Sequence, residues 1–145
     1  MKVVLGSDHA GFELKEAVKE VLEEMGVEYD DLGTHSSKRV DYVPYGKEVA
    51  QKVADGSYDR GILFCGSGIG MSIVANKIAG IRAALCHEPF TARLSRQHND
   101  ANVLVLAGRI IAPEMAGEII RVWLTTPFAG GRHQRRLDQI KELEK

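Results

Sequence analysis

Five short apolar segments, each followed by a helical pattern, constrain the fold of this chain more than any other feature of its sequence. Most are rich in Val, Ile and Leu on both faces, which is typical of strands buried between two layers of helices. Strands are predicted at 3–6, 27–32, 60–65, 81–86 and 103–106. This alternation predicts an α/β fold with one domain over residues 1–145, a Rossmann-like three-layer α/β/α sandwich around a five-stranded parallel sheet.

The connections between the strands limit the order in which they pair. Helices are predicted at 14–25, 44–56 with Pro44 in the first turn, 69–78, 89–97, 113–124 and 132–145. Right-handed crossovers then reverse the strand order beside the first strand, and the orders 2-1-3-5-4 and 2-1-3-4-5 both remain open. The reversal opens a crevice between the ends of strands 1 and 3, where ligands bind in such sheets.

Composition excludes several classes of function. A net charge of −1 gives no general attraction to nucleic acid or to an anionic membrane, so local arginines must bind any anionic ligand. The start of the chain contains no signal peptide pattern and no long apolar span, and we expect a cytoplasmic protein without a membrane segment. Two cysteines and five histidines show no zinc-type spacing, which predicts neither a metal nor a disulfide scaffold.

Cys65 ends the third strand and is followed directly by the glycine-rich turn 66–70. A turn of this kind before a helix exposes free N–H groups that can bind an anion. The same helix N-terminus lowers the pKa of a cysteine, so we expect the Cys65 thiol to ionise more easily than usual. The alternative is that Cys65 packs as a small apolar side chain, which is the interpretation that fits Cys86 because Cys86 has no glycine-rich turn.

Other candidate groups follow strands or share a helix face. Asp8-His9 follow strand 1 and can contact a polar ligand, although an aspartate at this point can also cap a helix. Arg109 follows strand 5 at the same edge of the sheet. His98 lies in a polar loop. It can be an ordinary solvated residue, or it can carry a proton during a reaction. Arg132 and Arg136 are four residues apart, so they can bracket a phosphate or form a charged surface.

Taken together, ordered blocks along nearly the whole chain resemble the ribose/galactose isomerase family, and within it the B-type ribose-5-phosphate isomerases. The blocks are 6–11 (GSDHAG), Asp41-Tyr42, 61–70 (GILFCGSGIG), Ala75-Asn76-Lys77, 80–83 (GIRA), 94–100 (LSRQHND), Asn102-Val103-Leu104 and 130–133 (GGRH). So many blocks in one order are far more specific than any single motif. One departure is Ser67, where threonine is frequent in the family.

The resemblance implies an enzyme of the pentose phosphate pathway, without metal or cofactor. It would interconvert D-ribose 5-phosphate and D-ribulose 5-phosphate through a cis-enediol(ate). At the matching positions, Cys65 would be the base that moves a proton between C1 and C2. Donors to the enediolate would be the Ser67 hydroxyl and the backbone N–H groups of Gly66, Ser67, Gly68, Ile69 and Gly70.

The resemblance also implies how the sugar is opened and held. His98, helped by Asp8, would open the furanose ring, and Asn99 would orient the sugar. The phosphate would be bound by His9, Arg109, Arg132 and Arg136. Family sites are usually shared between two chains, so a homodimer or a dimer of dimers is expected, with helix 132–145 at its interface.

Three other functions use a similar fold or a similar cysteine loop. A six-carbon substrate, galactose 6-phosphate or allose 6-phosphate, would need a pocket only about one carbon longer. A non-catalytic phosphosugar-binding module would use the same type of sheet. A thiol phosphatase would need arginine six residues after its cysteine, where this chain has Met71, and phosphate ester hydrolysis is therefore discounted.

Overall fold

Strands and helices alternate along the computed structural model, which describes residues 1–145. The strands are β1 (Lys2–Ser7), β2 (Glu28–Asp31), β3 (Arg60–Cys65), β4 (Ala83–Leu85) and β5 (Val103–Ala107). The helices are α1 (Phe12–Glu24), α2 (Tyr42–Ala54), α3 (Ile69–Asn76), α4 (Pro89–Gln97), α5 (Pro113–Thr125) and α6 (Arg132–Glu142). The predicted α/β class is thereby confirmed.

All five strands pair in parallel in the order β2-β1-β3-β5-β4, which is the first of the two predicted orders. Ser7 pairs with Phe64, and Cys65 pairs with Ala107. The carboxyl ends of β1, β3 and β5 therefore lie side by side, and the loops that follow them meet at one edge of the sheet.

The fourth strand is shorter than the predicted segment 81–86. The strand begins only after Arg82, because the Arg82 N–H donates to the side-chain Oδ1 of Asn102 at 2.8 Å and not to a backbone carbonyl of a neighbouring strand. β4 is also an edge strand that pairs only with β5. The second helix begins at Tyr42, after an extended Asp41, and Pro44 lies in its first turn as predicted.

Two separate apolar clusters cover the two faces of the sheet. On one face, α1 and α5 pack side chains such as Val18 and Trp123 against alternate residues of the strands. On the other face, α2 and α3 contribute side chains such as Val49 and Met71. Helix α6 is different, because Leu137 is its only buried residue. None of the helices is both long and apolar enough to cross a membrane.

Candidate active site

A pocket of about 770 Å³ opens at the carboxyl ends of β1, β3 and β5. Most of the site residues predicted from these strand ends line it: Asp8, His9, Cys65, Gly66, Ser67, Ile69, Gly70 and Arg109. The structure therefore brings together in one cavity the groups that follow three different strands. Gly68 does not line the pocket but shapes the turn beneath it.

Two glycines make this turn possible. Gly68 is the N-cap of α3 and has a φ of 77°, a left-handed conformation that L side chains rarely adopt. A Cβ at this position would also collide with the Leu85 side chain. A Cβ on Gly70 would lie 2.5 Å from the Tyr42 ring, so the glycine lets that ring lie directly on the turn.

The Cys65 sulfur is buried at the start of this turn, and the backbone N–H groups of Met71, Gly68 and Gly70 favour its thiolate form. Burial raises the pKa of the Cys65 thiol above its ordinary value, and the Asp8 carboxylate raises it further. The three amides lower the pKa without cancelling the rise. The expectation of an easily ionised thiol is therefore wrong for the isolated chain, because desolvation outweighs the helix N-terminus.

The raised pKa of Cys65 leads to a test by alkylation. For the monomeric chain in a Cys86→Ala background, the rate of reaction with iodoacetamide should increase with pH through a midpoint above about 8.5, the value of a free cysteine. The sign follows from the shift: a higher pKa leaves less thiolate at neutral pH. The Cys65→Ala/Cys86→Ala chain is the control for labelling elsewhere. A midpoint near neutral pH would contradict the role given to burial.

The other cysteine, Cys86, fits its predicted packing role. It is buried in the cluster on the α1 and α5 face, and it does not line the pocket. Burial raises the pKa of its thiol as well. Cys86 is therefore a matched internal reference for Cys65.

Asp8 and Ser67 each use one oxygen within the chain and leave further bonding capacity toward the pocket. Oδ1 of Asp8 accepts from the Gly11 N–H at 2.9 Å, while Oδ2 has no hydrogen bond within the chain. Asp8 is not the N-cap that the alternative interpretation proposed, because α1 has Gly11 at its N-cap without a side-chain cap; the Asp8 carboxylate instead holds the turn before the helix. Oγ of Ser67 accepts from the Ile69 N–H at 3.2 Å, so its own O–H remains free to donate.

The opposite wall of the pocket comes from the loop before α2, which the sequence interpretation did not assign to the site. It contributes Arg39, Val40, Asp41 and Tyr42. The block Asp41-Tyr42 carried part of the family resemblance and was the signal that could have identified this wall. Arg39 had no such signal, because the surrounding polar stretch is typical of any solvated loop.

A second polar cluster lies outside the pocket and consists of His98, Arg132, His133 and Arg136. The rings of His98 and His133 stack with centroids 4.3 Å apart and planes 12° from parallel. Desolvation lowers the pKa of His133, and the neighbouring His98, Arg132 and Arg136 lower it further. Within one chain, these predicted site residues are therefore close to one another and absent from the wall around Cys65.

Asn99 belongs to neither group. It is exposed and lines a separate groove with Leu137 and Ile140 of α6.

The structure contains no cluster of three or more His, Cys, Asp or Glu side chains with the geometry to hold a metal ion.

The chain is similar to known proteins in both sequence and fold. The family model for ribose/galactose isomerases matches residues 3–140. The chain belongs to the ribose/galactose isomerase family. This confirms the resemblance that the sequence blocks indicated, and it covers both the residues of the pocket and those of the cluster around His98.

Individual members of the ribose/galactose isomerase family are similar over nearly the full length. The ribose-5-phosphate isomerase B of Escherichia coli strain K12 is 51% identical over 143 residues, which cover 99% of this chain and 96% of the relative. A crystal structure of a ribose 5-phosphate isomerase from Thermotoga maritima matches with a TM-score of 0.94 and 54% identity, covering 97% of each chain. Ribose-5-phosphate isomerase B from Mycoplasma genitalium, crystallised with bound ribulose-5-phosphate, matches with a TM-score of 0.94 and 40% identity, covering 99% of this chain and 95% of the other.

Proposed function

We propose that this protein interconverts D-ribose 5-phosphate and D-ribulose 5-phosphate. The observation that carries the proposal is a cysteine in the lining of a pocket, beside the backbone amides of a glycine-rich turn, in a chain similar over nearly its full length to a ribose-5-phosphate isomerase B. Aldose to ketose conversion needs a base beside the carbonyl and donors aimed at the new oxyanion. The turn after β3 supplies both within one segment.

The proposed chemical step uses Cys65 as a thiolate base. Its sulfur takes the proton from C2 of the open-chain aldose, the C–H electrons form a C1–C2 double bond, and the charge develops on O1. The O–H of Ser67 and amides of the glycine turn stabilise this enediolate. The thiol then returns the proton to C1 while the O2 hydroxyl proton moves to O1 and C2 becomes the carbonyl. No oxidant, reductant or metal is needed for this balance.

The pocket of one chain contains two cationic candidates for phosphate binding besides His9, namely Arg109 and Arg39. The family resemblance adds three further groups to a pentose phosphate site, namely Arg132, Arg136 and the ring-opening His98. We propose that a second copy of the chain brings this cluster to the pocket in a homodimer. Nearby cations would then lower the pKa of Cys65 toward the range where the thiolate forms.

Exposed apolar side chains support a homodimer. Ile69 and Ile73 on α3 are 56% and 57% exposed, and both line the pocket. Ile140 and Leu143 are exposed at the C-terminal end, where α6 buries only Leu137 against its own chain. Contact between two copies would cover such surfaces, and α6 is the element proposed for the interface.

The proposal includes a cytoplasmic location. A charged sugar phosphate does not enter an apolar bilayer readily, so it stays in the compartment in which it is formed.

Substrate length is tested by comparing kcat/KM on ribose 5-phosphate, allose 6-phosphate and galactose 6-phosphate. We expect ribose 5-phosphate to be preferred by at least about tenfold, because a pocket fitted to five carbons holds the longer sugar with its reacting carbons displaced. A preference for either hexose phosphate would overturn the substrate assignment. Binding of all three without turnover would favour a non-catalytic phosphosugar-binding protein.

A further inference from the structure

Lys15 on α1 is a fully buried lysine whose ammonium group joins two segments of the chain. Its Nζ donates to Oδ1 and Oδ2 of Asp31 at 2.7 and 2.8 Å, and also to the carbonyl oxygen of Thr34. A buried charge is tolerated only when it is paired and hydrogen-bonded. Lys15 meets that condition by fixing the end of β2 and the start of the loop that follows it.

Asp31 completes this anchor and remains ionised. Burial raises the pKa of Asp31, but hydrogen bonds from Lys15, Lys19 and the Gly33 amide lower it by more, and the net pKa lies below its usual value. Lys19 is the more exposed of the two lysines, and its Nζ lies 2.8 Å from Oδ2. The aspartate therefore stays an acceptor for Lys15 at neutral pH.

The anchored segment is attached directly to the end of β1. The Ser7 N–H donates to the Gly33 carbonyl at 2.7 Å, and the Thr34 N–H donates to the Ser7 carbonyl at 2.8 Å. The two residues that follow β1 are Asp8 and His9, which line the pocket. Lys15 thus fixes the loop beside the strand end from which two candidate site residues project.

The far end of the same loop holds the His9 ring. Nδ1 of His9 lies 3.1 Å from both the N–H nitrogen and the carbonyl oxygen of Val40. The Val40 N–H has no other acceptor, so it needs Nδ1 as its hydrogen-bond acceptor. In a neutral ring, Nδ1 can accept only when the proton is on Nε2. In the charged ring, Nδ1–H donates to the Val40 carbonyl instead. In both states Nε2 carries a proton, and Nε2 has no partner within the chain.

We propose that the Lys15–Asp31 pair is a positioning device for His9: it holds the loop 32–41 so that Val40 keeps a proton on Nε2, ready to donate to a bound phosphate. Only the choice of phosphate as the ligand rests on the proposed function. Lys15 does not line the pocket, and its hydrogen bonds go to Asp31 and Thr34, so any effect on His9 passes through the loop. A Lys15 substitution removes none of the other charged or titratable side chains that line the pocket, which are Asp8, Arg39, Asp41, Tyr42, Cys65 and Arg109.

The test compares Lys15→Met with Lys19→Met, which removes the same charge from the same carboxylate one helical turn away. The imidazole ¹⁵N shifts of His9, assigned with His9→Gln, report its tautomer, and titration with inorganic phosphate gives Kd. We expect the Nε2–H tautomer in the wild type and in Lys19→Met, with Kd changed by less than about twofold in that control. In Lys15→Met we expect mixed tautomers and a Kd about tenfold higher.

A loss of folding in Lys15→Met would come from the Asp31 carboxylate, which keeps Lys19 but loses its buried partner. The double variant Lys15→Met/Asp31→Asn removes that charge while keeping an acceptor for Gly33. This double variant should recover the stability of the wild type. It should not recover the Nε2–H tautomer of His9 or the phosphate Kd, because the Thr34 carbonyl still lacks the hydrogen bond from Lys15. KM should rise with little change in kcat, as for loss of uniform binding. An Nδ1–H tautomer in the wild type, or unchanged tautomer and Kd in a folded Lys15 variant, would overturn the proposal. Absence of isomerase activity would refute the proposed function and leave these two measurements valid.

Discussion

Replacement of Cys65 by alanine is expected to lower kcat/KM for ribose 5-phosphate by about 10²–10⁴-fold, the contribution of one positioned proton-transfer group. Binding of inorganic phosphate should persist, because the cationic side chains of the pocket remain in place. The measurement is the initial rate of ribulose 5-phosphate formation, together with a phosphate titration on the same preparation.

The chain supplies its own control for this substitution. Cys86 is equally buried, but it lies in the core and has no glycine-rich turn, so Cys86→Ala should retain activity close to that of the wild type. Comparable activity of Cys65→Ala and the wild type would remove the sulfur from the mechanism. An equal loss in both variants would instead indicate a general effect on folding.

Mixing two inactive chains should restore activity if the site is shared between subunits. Cys65→Ala lacks the proposed base and His98→Ala lacks the proposed ring-opening group, so each homodimer has no complete site. After subunit exchange, half of the dimers are mixed, and one of the two sites in each mixed dimer is intact. The expected activity is therefore about a quarter of the wild type, measured by the same isomerase assay.

The matched control for mixing combines Cys65→Ala with a Cys65→Ala/His98→Ala chain. No site in that mixture contains Cys65, so no activity should return. Native mass spectrometry of the two mixtures confirms that exchange has taken place. Absence of recovery in the first mixture, after exchange is verified, would contradict a shared site and favour one formed within a single chain.

Much of the fold follows from local patterns in the sequence. Strands with Val, Ile and Leu on both faces require helices above and below them, and right-handed crossovers leave two strand orders, of which the structure adopts 2-1-3-5-4. Cys65 and its glycine turn were predictable because a strand end and a helix start adjoin in sequence. The length of β4 was not, since it depends on Asn102, which is distant in sequence and pairs with Arg82.

The parts of the site that the sequence did not reveal depend on packing between distant segments. The direction of the Cys65 pKa shift is set by how deeply the thiol is buried, whereas the sequence shows only that a helix follows it. Lys15 lies in a helix with a polar face, and nothing in that pattern distinguishes it from exposed lysines such as Lys19. The wall formed by Arg39 and Tyr42 exists because the loop returns across the pocket after leaving β2.

Cys65 belongs at once to the apolar cluster beside α2 and α3 and to the pocket floor. The other polar groups of the pocket come from loops or helix starts, which tolerate exchange of residues far better than a close-packed interior does. Evolution can therefore alter which sugar is accepted by changing the rim, while the sulfur keeps its place. Divergence of substrate choice around an unchanged chemical step is built into this division between core and loops.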